Sequence, residues 1–444
     1  MEYQFPSGFF FGVSNAANQV EDELEDNWLR FSHQNRLRCF NHVPHHAERI
    51  RFWSQPEIEL DLAQNLGVHV FRLSLAWERL VPQRGEWNEL AARGYLEMLK
   101  GIKKRGMKVM LTLFHHSIPK WMEDDGGWVN PISIEDFRFY SQKSLEAFGE
   151  DVDFWITLNE PVPWSYLTYN EGLFPPGCKG SLLAHFKALK HMSLSHNEFY
   201  KTVRKNQSTP VGIAHHMGLH QGRGWFNHLF SKVSDYLAHW HFLDGIADHM
   251  DFFGINYYGA EWMTPQGPAQ YEDLDFSDAG RAICPEGLYQ LLYCIHQKFP
   301  KLPIIITENG VGDGTDSVRP AYMVEHLIAV QCAIENKIPV IGYVHWTLSD
   351  NLEWSDGYGP KFGLVEVDRK NNLKRLPRPS YSLYQKIIQE KKITLEMRQT
   401  AWQTYKAIQG QPRPYWRSPD GKQGLDEAQE RLTPKSQDWR FPIA

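Results

Sequence analysis

Two glutamates stand at the ends of two apolar runs of strand-forming residues. The run 154–158 leads through an asparagine to Glu160, and Pro161 then removes a backbone donor and ends the strand. A second run, 303–307, leads to Glu308. Two carboxyl groups presented at strand ends are suited to acid/base and nucleophilic catalysis at one site. Since 148 positions separate these glutamates, only the tertiary fold can bring them together.

Closely spaced histidines are the other candidates for chemistry, and they occur at three places: His115-His116, His215-His216 and the run 239–241. Neighbouring residues on a strand point to opposite faces, so adjacent histidines rarely bind one ion together. The chain also has no His-Glu-x-x-His pattern. We therefore expect neither a metal ion nor another cofactor.

The elements that must position these residues alternate between strand-like and helical patterns. Candidate strands lie at 9–13, 70–75, 108–114, 154–158, 211–215, 252–257, 302–307 and 340–344, and amphipathic helical patterns at 91–105, 134–148, 182–204, 322–336 and 381–390. Eight strands alternating with helices predict a closed parallel (β/α)8 barrel. An open doubly wound sheet would need a glycine-rich phosphate turn after an early strand, and the sequence after the first strand is not one.

Polar and aromatic residues accumulate at the predicted strand ends, while the strand bodies stay apolar. In barrels of this type the active site lies at the carboxyl ends of the strands, so we expect it there. The alternation stops near residue 394. We predict one barrel domain over 1–393, with the segment 394–444 packed on the barrel as an extension.

The bulk composition excludes some classes of function. The 444 residues carry 53 acidic and 47 basic side chains, a formal net charge of -6, and no basic stripe, which argues against a nucleic-acid partner. Aromatic residues make up 14% of the chain, and a large core is the simplest reason for them. The sequence leaves the oligomeric state open.

Five scattered cysteines have no metal-ligand spacing: Cys39, Cys178, Cys284, Cys294 and Cys332. They indicate reduced thiols and therefore a cytoplasmic protein. The N-terminus lacks the pattern of a signal segment, and no apolar stretch reaches transmembrane length. Peripheral contact with a membrane remains compatible with this sequence.

Four motifs occur in order between about residues 5 and 388: Phe10-Phe11-Gly12, Thr157-Leu158-Asn159-Glu160-Pro161, Ile306-Thr307-Glu308-Asn309-Gly310, and the long run 342–354. Through them the chain resembles glycoside hydrolase family 1, the retaining β-glycosidases. The resemblance implies a single-domain barrel and no cofactor. It makes Glu160 the general acid/base and Glu308 the nucleophile.

The resemblance also assigns the residues around that pair. Those that bind the sugar are Gln19, His115, Asn159, Trp346, Glu353 and Trp354, and those that flank the nucleophile are Arg72, Asn256 and Tyr258. Glutamine, histidine, asparagine and glutamate offer the paired donors and acceptors that sugar hydroxyls need, and a tryptophan offers a flat apolar face. Two departures from the family pattern are His116, where most members have tryptophan, and Asp22, where a glycine is usual.

A narrower likeness covers the runs 112–117, 424–427 and 438–441. They are similar to the plant Sensitive-to-freezing branch of the family, whose members are galactolipid:galactolipid galactosyltransferases. The main expectation is a retaining β-glycosidase acting on β-glucosides or β-galactosides. The alternative uses the same two glutamates to transfer galactose to a galactolipid head group. A sugar-binding pseudoenzyme is disfavoured because both carboxylates are present.

Either reaction makes demands on the two glutamates. Retaining enzymes hold their carboxyl groups about 5–5.5 Å apart across the scissile bond. We expect Arg72 and Tyr258 to keep Glu308 ionised, and burial beside Glu308 to keep a proton on Glu160 near neutral pH.

Overall fold

The computed structural model describes residues 2–33, 49–269, 271, 274–415, 430–435 and 438–442. Cys39, the run 424–427 and part of the loop 264–280 lie outside the described residues. Eight parallel strands close into a barrel, which confirms the predicted fold class. The last strand pairs with the first through Gly342 opposite Phe10, so the closure leaves no free strand edge.

The barrel strands are β1 Phe10–Ser14, β2 Val70–Ser74, β3 Lys108–Phe114, β4 Phe154–Asn159, β5 Val211–His216, β6 Phe252–Tyr257, β7 Ile304–Asn309 and β8 Val340–His345. All eight were predicted, with ends displaced by two residues at most. Five of them extend further at the carboxyl end than the apolar runs indicate, because backbone pairing continues past the last apolar side chain. Glu308, for example, still pairs with Asn256 on the neighbouring strand.

Fifteen α-helices occur in the described residues: α1 Ala17–Val20, α2 Asn27–His33, α3 Pro56–Leu66, α4 Trp77–Leu80, α5 Glu89–Lys104, α6 Lys120–Asp124, α7 Ser133–Phe148, α8 Pro161–Tyr166, α9 Leu182–Asn206, α10 Trp225–Asp235, α11 His241–Asp244, α12 Pro285–Lys298, α13 Arg319–Glu335, α14 Pro379–Glu390 and α15 Leu395–Ala407. The five predicted helices are α5, α7, α9, α13 and α14. Helix α5 shows why: Asn88 caps its first turn by accepting from the Ala91 backbone, and Leu99 and Ile102 on its apolar face are buried.

Shorter elements complete the chain. Single turns of 3₁₀ helix form at Gly127–Val129 and Trp354–Asp356, and π-helical turns at Leu167–Glu171 and Tyr236–Trp240. Short strands lie at Glu2–Gln4, Leu219–Gln221, Ala260–Thr264, Gly267–Ala269, Val365–Asp368, Lys374–Pro377, Lys392–Thr394, Arg413–Tyr415 and Glu430–Leu432.

The barrel interior is filled by a layer of side chains from seven strands: Val70, Met110, Ile156, Ala214, Phe252, Ile305 and Val344. A second, larger apolar core lies between the barrel and its helices. Because side chains plug the barrel, the polar strand ends form the floor of an open site and not the wall of a channel.

The described part of the segment 394–444 contacts the barrel through one buried glutamate. Arg398 donates to both carboxylate oxygens of Glu325 on α13, each at 2.7 Å. Trp402 and the backbone of Phe441 donate to the same carboxylate. Helix α15 and Phe441 therefore both contact Glu325, and the Lys435 backbone donates to Asp275 as a further contact of this segment. In the described ranges, no helix combines the length and the apolar character needed to cross a bilayer.

Candidate active site

The strand ends bring the predicted residues together around a buried arginine. Arg72 on β2 donates to the Oε1 of Glu308 at 2.5 Å and to the Oδ1 of Asn159 at 2.6 Å. The amide of Asn256 donates to Asn159 at 3.1 Å and to the Oε1 of Glu160 at 2.9 Å. Four strands thus hold both glutamates in one hydrogen-bond network.

Glu308 is almost fully buried and is held from two sides. Arg72 contacts one carboxylate oxygen, and the hydroxyl of Tyr258 donates to the other at 2.6 Å. Both oxygens are therefore fixed in direction, as a nucleophile requires. Gly310 follows two residues after Glu308. A Cβ at this position would lie 1.8 Å from the carbonyl oxygen of Trp346, so only glycine fits at this strand end.

Glu160 lies at the N-terminus of α8, with its backbone in the left-handed region at φ 45°. A glutamate rarely adopts this conformation, and such strain is typical of functional sites. Pro161 begins the helix at once, so the chain turns sharply as it leaves β4. The turn directs the carboxylate towards Asn256 and His216.

His216, at the end of β5, is a site residue that sequence reasoning missed. Its Nδ1 lies 3.5 Å from the Oε1 of Glu160, and its Nε2 lies 3.2 Å from the Oε1 of Glu261. Burial lowers the pKa of His216, but the two carboxylates raise it to about 9. The imidazole is therefore protonated at neutral pH. The histidine pair in the sequence was a signal, and strand alternation indicates that only one of the two faces the site.

The charge of His216 changes the expected titration of the two glutamates. Burial raises the pKa of Glu160, but the opposing effect of His216, His116 and Asn256 is larger. The pKa of Glu160 therefore lies below its usual value. Burial raises the pKa of Glu308 to about 7, helped by the charge of Glu160 and opposed by Arg72 and Tyr258. We expected burial to keep a proton on Glu160, but His216 lowers the pKa of Glu160 while Glu160 and Glu261 raise the pKa of His216, so the pair favours a proton on His216.

The residues assigned to the sugar line the same pocket. The Oε1 of Gln19 and the Nδ1 of His115 are buried without a hydrogen-bond partner in the described part of the chain. The amide of Asn159 donates to the Nε2 of His115 at 3.0 Å, so Nδ1 carries the proton of the neutral ring. One free acceptor and one free donor therefore remain for hydroxyl groups.

Trp346, Glu353 and Trp354 lie next to His115. The indole of Trp346 lies 3.3 Å from the Oε1 of Glu353, and burial holds the pKa of this carboxyl well above its usual range. A neutral Glu353 can both donate to and accept from a hydroxyl. The His115 ring lies 5.8 Å from each tryptophan ring, so the three rings form one aromatic surface.

The two departures from the family pattern have structural consequences. The His116 ring packs 5.2 Å from the Trp354 ring, and its Nε2 lies 3.9 Å from the Oε2 of Glu160. Burial lowers the pKa of His116 to about 4, so a neutral polar ring replaces an indole beside the acid/base. Asp22 accepts from the backbone of Trp53 and Ser54, which fixes the first loop.

One group of described side chains has the geometry of a metal site: ligand atoms of His220, Asp235 and His239 lie within 4.8 Å of one another. Ligand atoms of Asp235 and His239 already form hydrogen bonds within the protein. His239 contacts Asp235 at 2.8 Å and accepts from the backbone of Gly218. These bonds explain the cluster without an ion.

The family model "Glycosyl hydrolase family 1" matches residues 1–224 and 241–393. The chain belongs to glycosyl hydrolase family 1. It is accordingly a glycoside hydrolase family enzyme, as the motifs predicted. The catalytic roles of Glu160 and Glu308 stay a prediction.

Two plant proteins are similar over most of the chain. Galactolipid galactosyltransferase SFR2 of Arabidopsis thaliana is 34% identical and covers 98% of this chain and 82% of its own length. Beta-glucosidase-like SFR2 of Oryza sativa is 38% identical over 91% of this chain and 67% of its own length. Among solved structures, a β-glycosidase from Pyrococcus horikoshii superposes with a TM-score of 0.83, at 27% identity, over 90% of this chain and 98% of its own.

Proposed function

We propose that this enzyme is a galactolipid:galactolipid galactosyltransferase that uses the two glutamates of a retaining glycosidase. The observation that carries the proposal is the extent of the likeness to the Arabidopsis galactosyltransferase. This match covers 98% of the chain. It therefore includes at least part of residues 225–240 and most of residues 394–444, since each segment is longer than the unmatched 2%. The family model omits both segments, and beta-glucosidase 21 of Arabidopsis covers only 86% of the chain at 29% identity.

The first step forms a galactosyl-enzyme. A carboxylate oxygen of Glu308 attacks C1 of the donor galactose, and the bond from C1 to the glycerol oxygen of the lipid breaks. The proton passes from His216, whose Nδ1 lies 3.5 Å from Glu160, through Glu160 to that oxygen. The oxygen leaves as the hydroxyl of diacylglycerol, and His216 is left neutral.

The second step releases the sugar to a lipid acceptor. A hydroxyl of the galactose on another galactolipid attacks C1, its proton passes to Glu160, and the ester bond to Glu308 breaks. The two inversions give net retention at C1. Water in place of the acceptor hydroxyl would give hydrolysis by the same residues.

Product analysis tests the proposal. The enzyme is incubated with vesicles of phosphatidylcholine and monogalactosyl diacylglycerol that carries radiolabelled galactose. We expect labelled di- and oligogalactolipid together with one diacylglycerol for each transfer, and no product from the Glu308→Gln variant. Release of free galactose as the sole labelled product would overturn transfer in favour of hydrolysis.

A further inference from the structure

Helix α10 and the π-helical turn Tyr236–Trp240 that continues it carry a stripe of exposed apolar side chains. We call this set the apolar stripe: Trp225, Phe226, Leu229, Val233, Tyr236 and Leu237. It contains six of the sixteen large hydrophobic residues that are exposed among the described residues. Their spacing follows the helical repeat, so they share one face, and Ser231 is buried on the other face. Trp225 is 81% exposed. Contact of so large an apolar side chain with water is unfavourable, and a contiguous apolar patch of this kind marks an interaction site.

The stripe belongs to a segment that family membership does not explain. Residues 225–240 are the internal part of the chain that the family model leaves unmatched. A π-helical turn, Tyr236–Trp240, lies at the end of this segment, and such turns are frequent at functional sites. The catalytic barrel that the family shares therefore does not explain why this helix is present.

The stripe lies at the face of the barrel that carries the active site. Helix α10 follows β5 and packs on two short strands, Leu219–Gln221 and Ala260–Thr264. These strands pair with each other, and the second begins three residues after the carboxyl end of β6. The helix therefore stands beside the strand ends on which His216 and Asn256 lie.

A chain of contacts joins this segment to the acid/base. The His239 ring packs against the His220 ring in a tilted arrangement with centroids 4.5 Å apart, and the Nε2 of His220 lies 3.4 Å from the Oε2 of Glu261. Glu261 contacts His216, which contacts Glu160. The segment is thus held at a fixed place relative to the pocket mouth.

We infer that the apolar stripe docks this enzyme on a lipid bilayer, so that galactolipid head groups enter the pocket from the membrane surface. An amphipathic helix with aromatic residues on its apolar face is typical of binding in the interface plane. The helix carries one lysine, Lys232, and one aspartate, Asp235, so its charges cancel. Such a helix fits a surface of uncharged sugar lipids and does not need anionic lipid.

The inference rests on the proposed function for its choice of lipid, and vesicle flotation tests it. Vesicles of phosphatidylcholine with monogalactosyl diacylglycerol are compared for three proteins: the wild type, the stripe variant Trp225→Ser/Phe226→Ser/Leu229→Ser, and the control variant Leu194→Ser/Tyr293→Ser/Leu376→Ser. The control removes exposed apolar residues elsewhere on the surface. We expect the stripe variant to bind roughly 100-fold more weakly and the control to bind like the wild type.

Hydrolysis of a soluble nitrophenyl β-galactoside shows that the variants are folded, and all three proteins should be equally active on it. If the triple variant does not fold, the single variant Trp225→Ser replaces it, because this side chain is largely exposed. Equal vesicle binding by the stripe variant and the wild type would overturn the inference. A wild-type dimer in light scattering that the stripe variant loses would overturn it too, since the stripe would then contact a second copy.

The docking inference and the proposed function can fail separately. Transfer by the wild type, together with unchanged flotation of the stripe variant, would remove the docking role and leave the transferase standing. Loss of flotation in the stripe variant, together with free galactose as the sole sugar product, would retain the docking role and remove the transferase.

Discussion

The two sides of the pocket are built on different principles. On one side Glu308 is held by Arg72 and Tyr258, a cation and a hydroxyl that only donate to the carboxylate. On the other side Glu160 faces His216 and His116, whose rings can change protonation. The first side fixes a nucleophile in place, and the second stores a proton. The family resemblance placed Arg72 and Tyr258 beside Glu308, whereas it assigned no role to His216.

Removing the nucleophile is the most severe way to test this comparison. We expect Glu308→Gly to lower kcat/KM on the order of 10⁵-fold, because no covalent intermediate can form. Added azide should restore turnover of a dinitrophenyl β-galactoside and give the α-galactosyl azide, since azide attacks from the face that the carboxylate left. Product configuration by NMR is the measurement. Absence of any rescue would count against the assignment of Glu308.

Removing the acid/base should give a loss that depends on the leaving group. For Glu160→Gln we expect about 10³-fold slower cleavage of alkyl galactosides, because their oxygen must be protonated as it leaves. The first step with a dinitrophenyl leaving group should be nearly unchanged. Burst kinetics with both substrates measure the difference. An equal loss for both leaving groups would show that Glu160 is not the acid.

Tyr258→Phe tests the nucleophile side alone. The hydroxyl lowers the pKa of Glu308, which burial raises to about 7, so its loss should raise this pKa further. Glu308 acts as the ionised form, and therefore the acid limb of the kcat/KM profile should move to higher pH. Loss of a hydrogen bond to a charged group costs about 1.5–3 kcal/mol, so we expect a rate reduction of about 10- to 100-fold. An unmoved acid limb would contradict the role of Tyr258.

His216→Asn tests the acid/base side and should move the opposite limb. In the wild type, the Glu160–His216 pair keeps its proton up to the His216 pKa of about 9. In the variant only Glu160 can hold it, and a carboxyl loses its proton at lower pH. The alkaline limb of the kcat/KM profile should therefore move down by about one unit or more, with a smaller change in maximal rate. His220→Asn, which removes a contact to Glu261 but none to Glu160, is the matched control. Identical alkaline limbs in His216→Asn and the wild type would remove His216 from the mechanism.

Much of the fold followed from local patterns. The eight apolar runs predicted the strands because buried parallel strands need continuous apolar residues, and β3 and β6 have the predicted bounds. Helices such as α5 and α9 followed from their apolar periodicity, and in the structure Asn88 and Ser181 cap their first turns. The apolar face of helix α10 is exposed, which its apolar spacing alone does not distinguish from core packing. The cytoplasmic location stays a prediction.

The sequence by itself determined which residues meet at the strand ends, because alternation and motif order place Arg72, Asn159, Asn256 and Glu308 at the carboxyl ends of four strands of one closed barrel. Only the tertiary structure decided where the proton resides. Protonation depends on distance and burial, and the contacts of His216 with Glu160 and Glu261 join residues 56 and 45 positions apart in the chain. No local pattern encodes that spacing, because it arises from the barrel that the whole sequence forms.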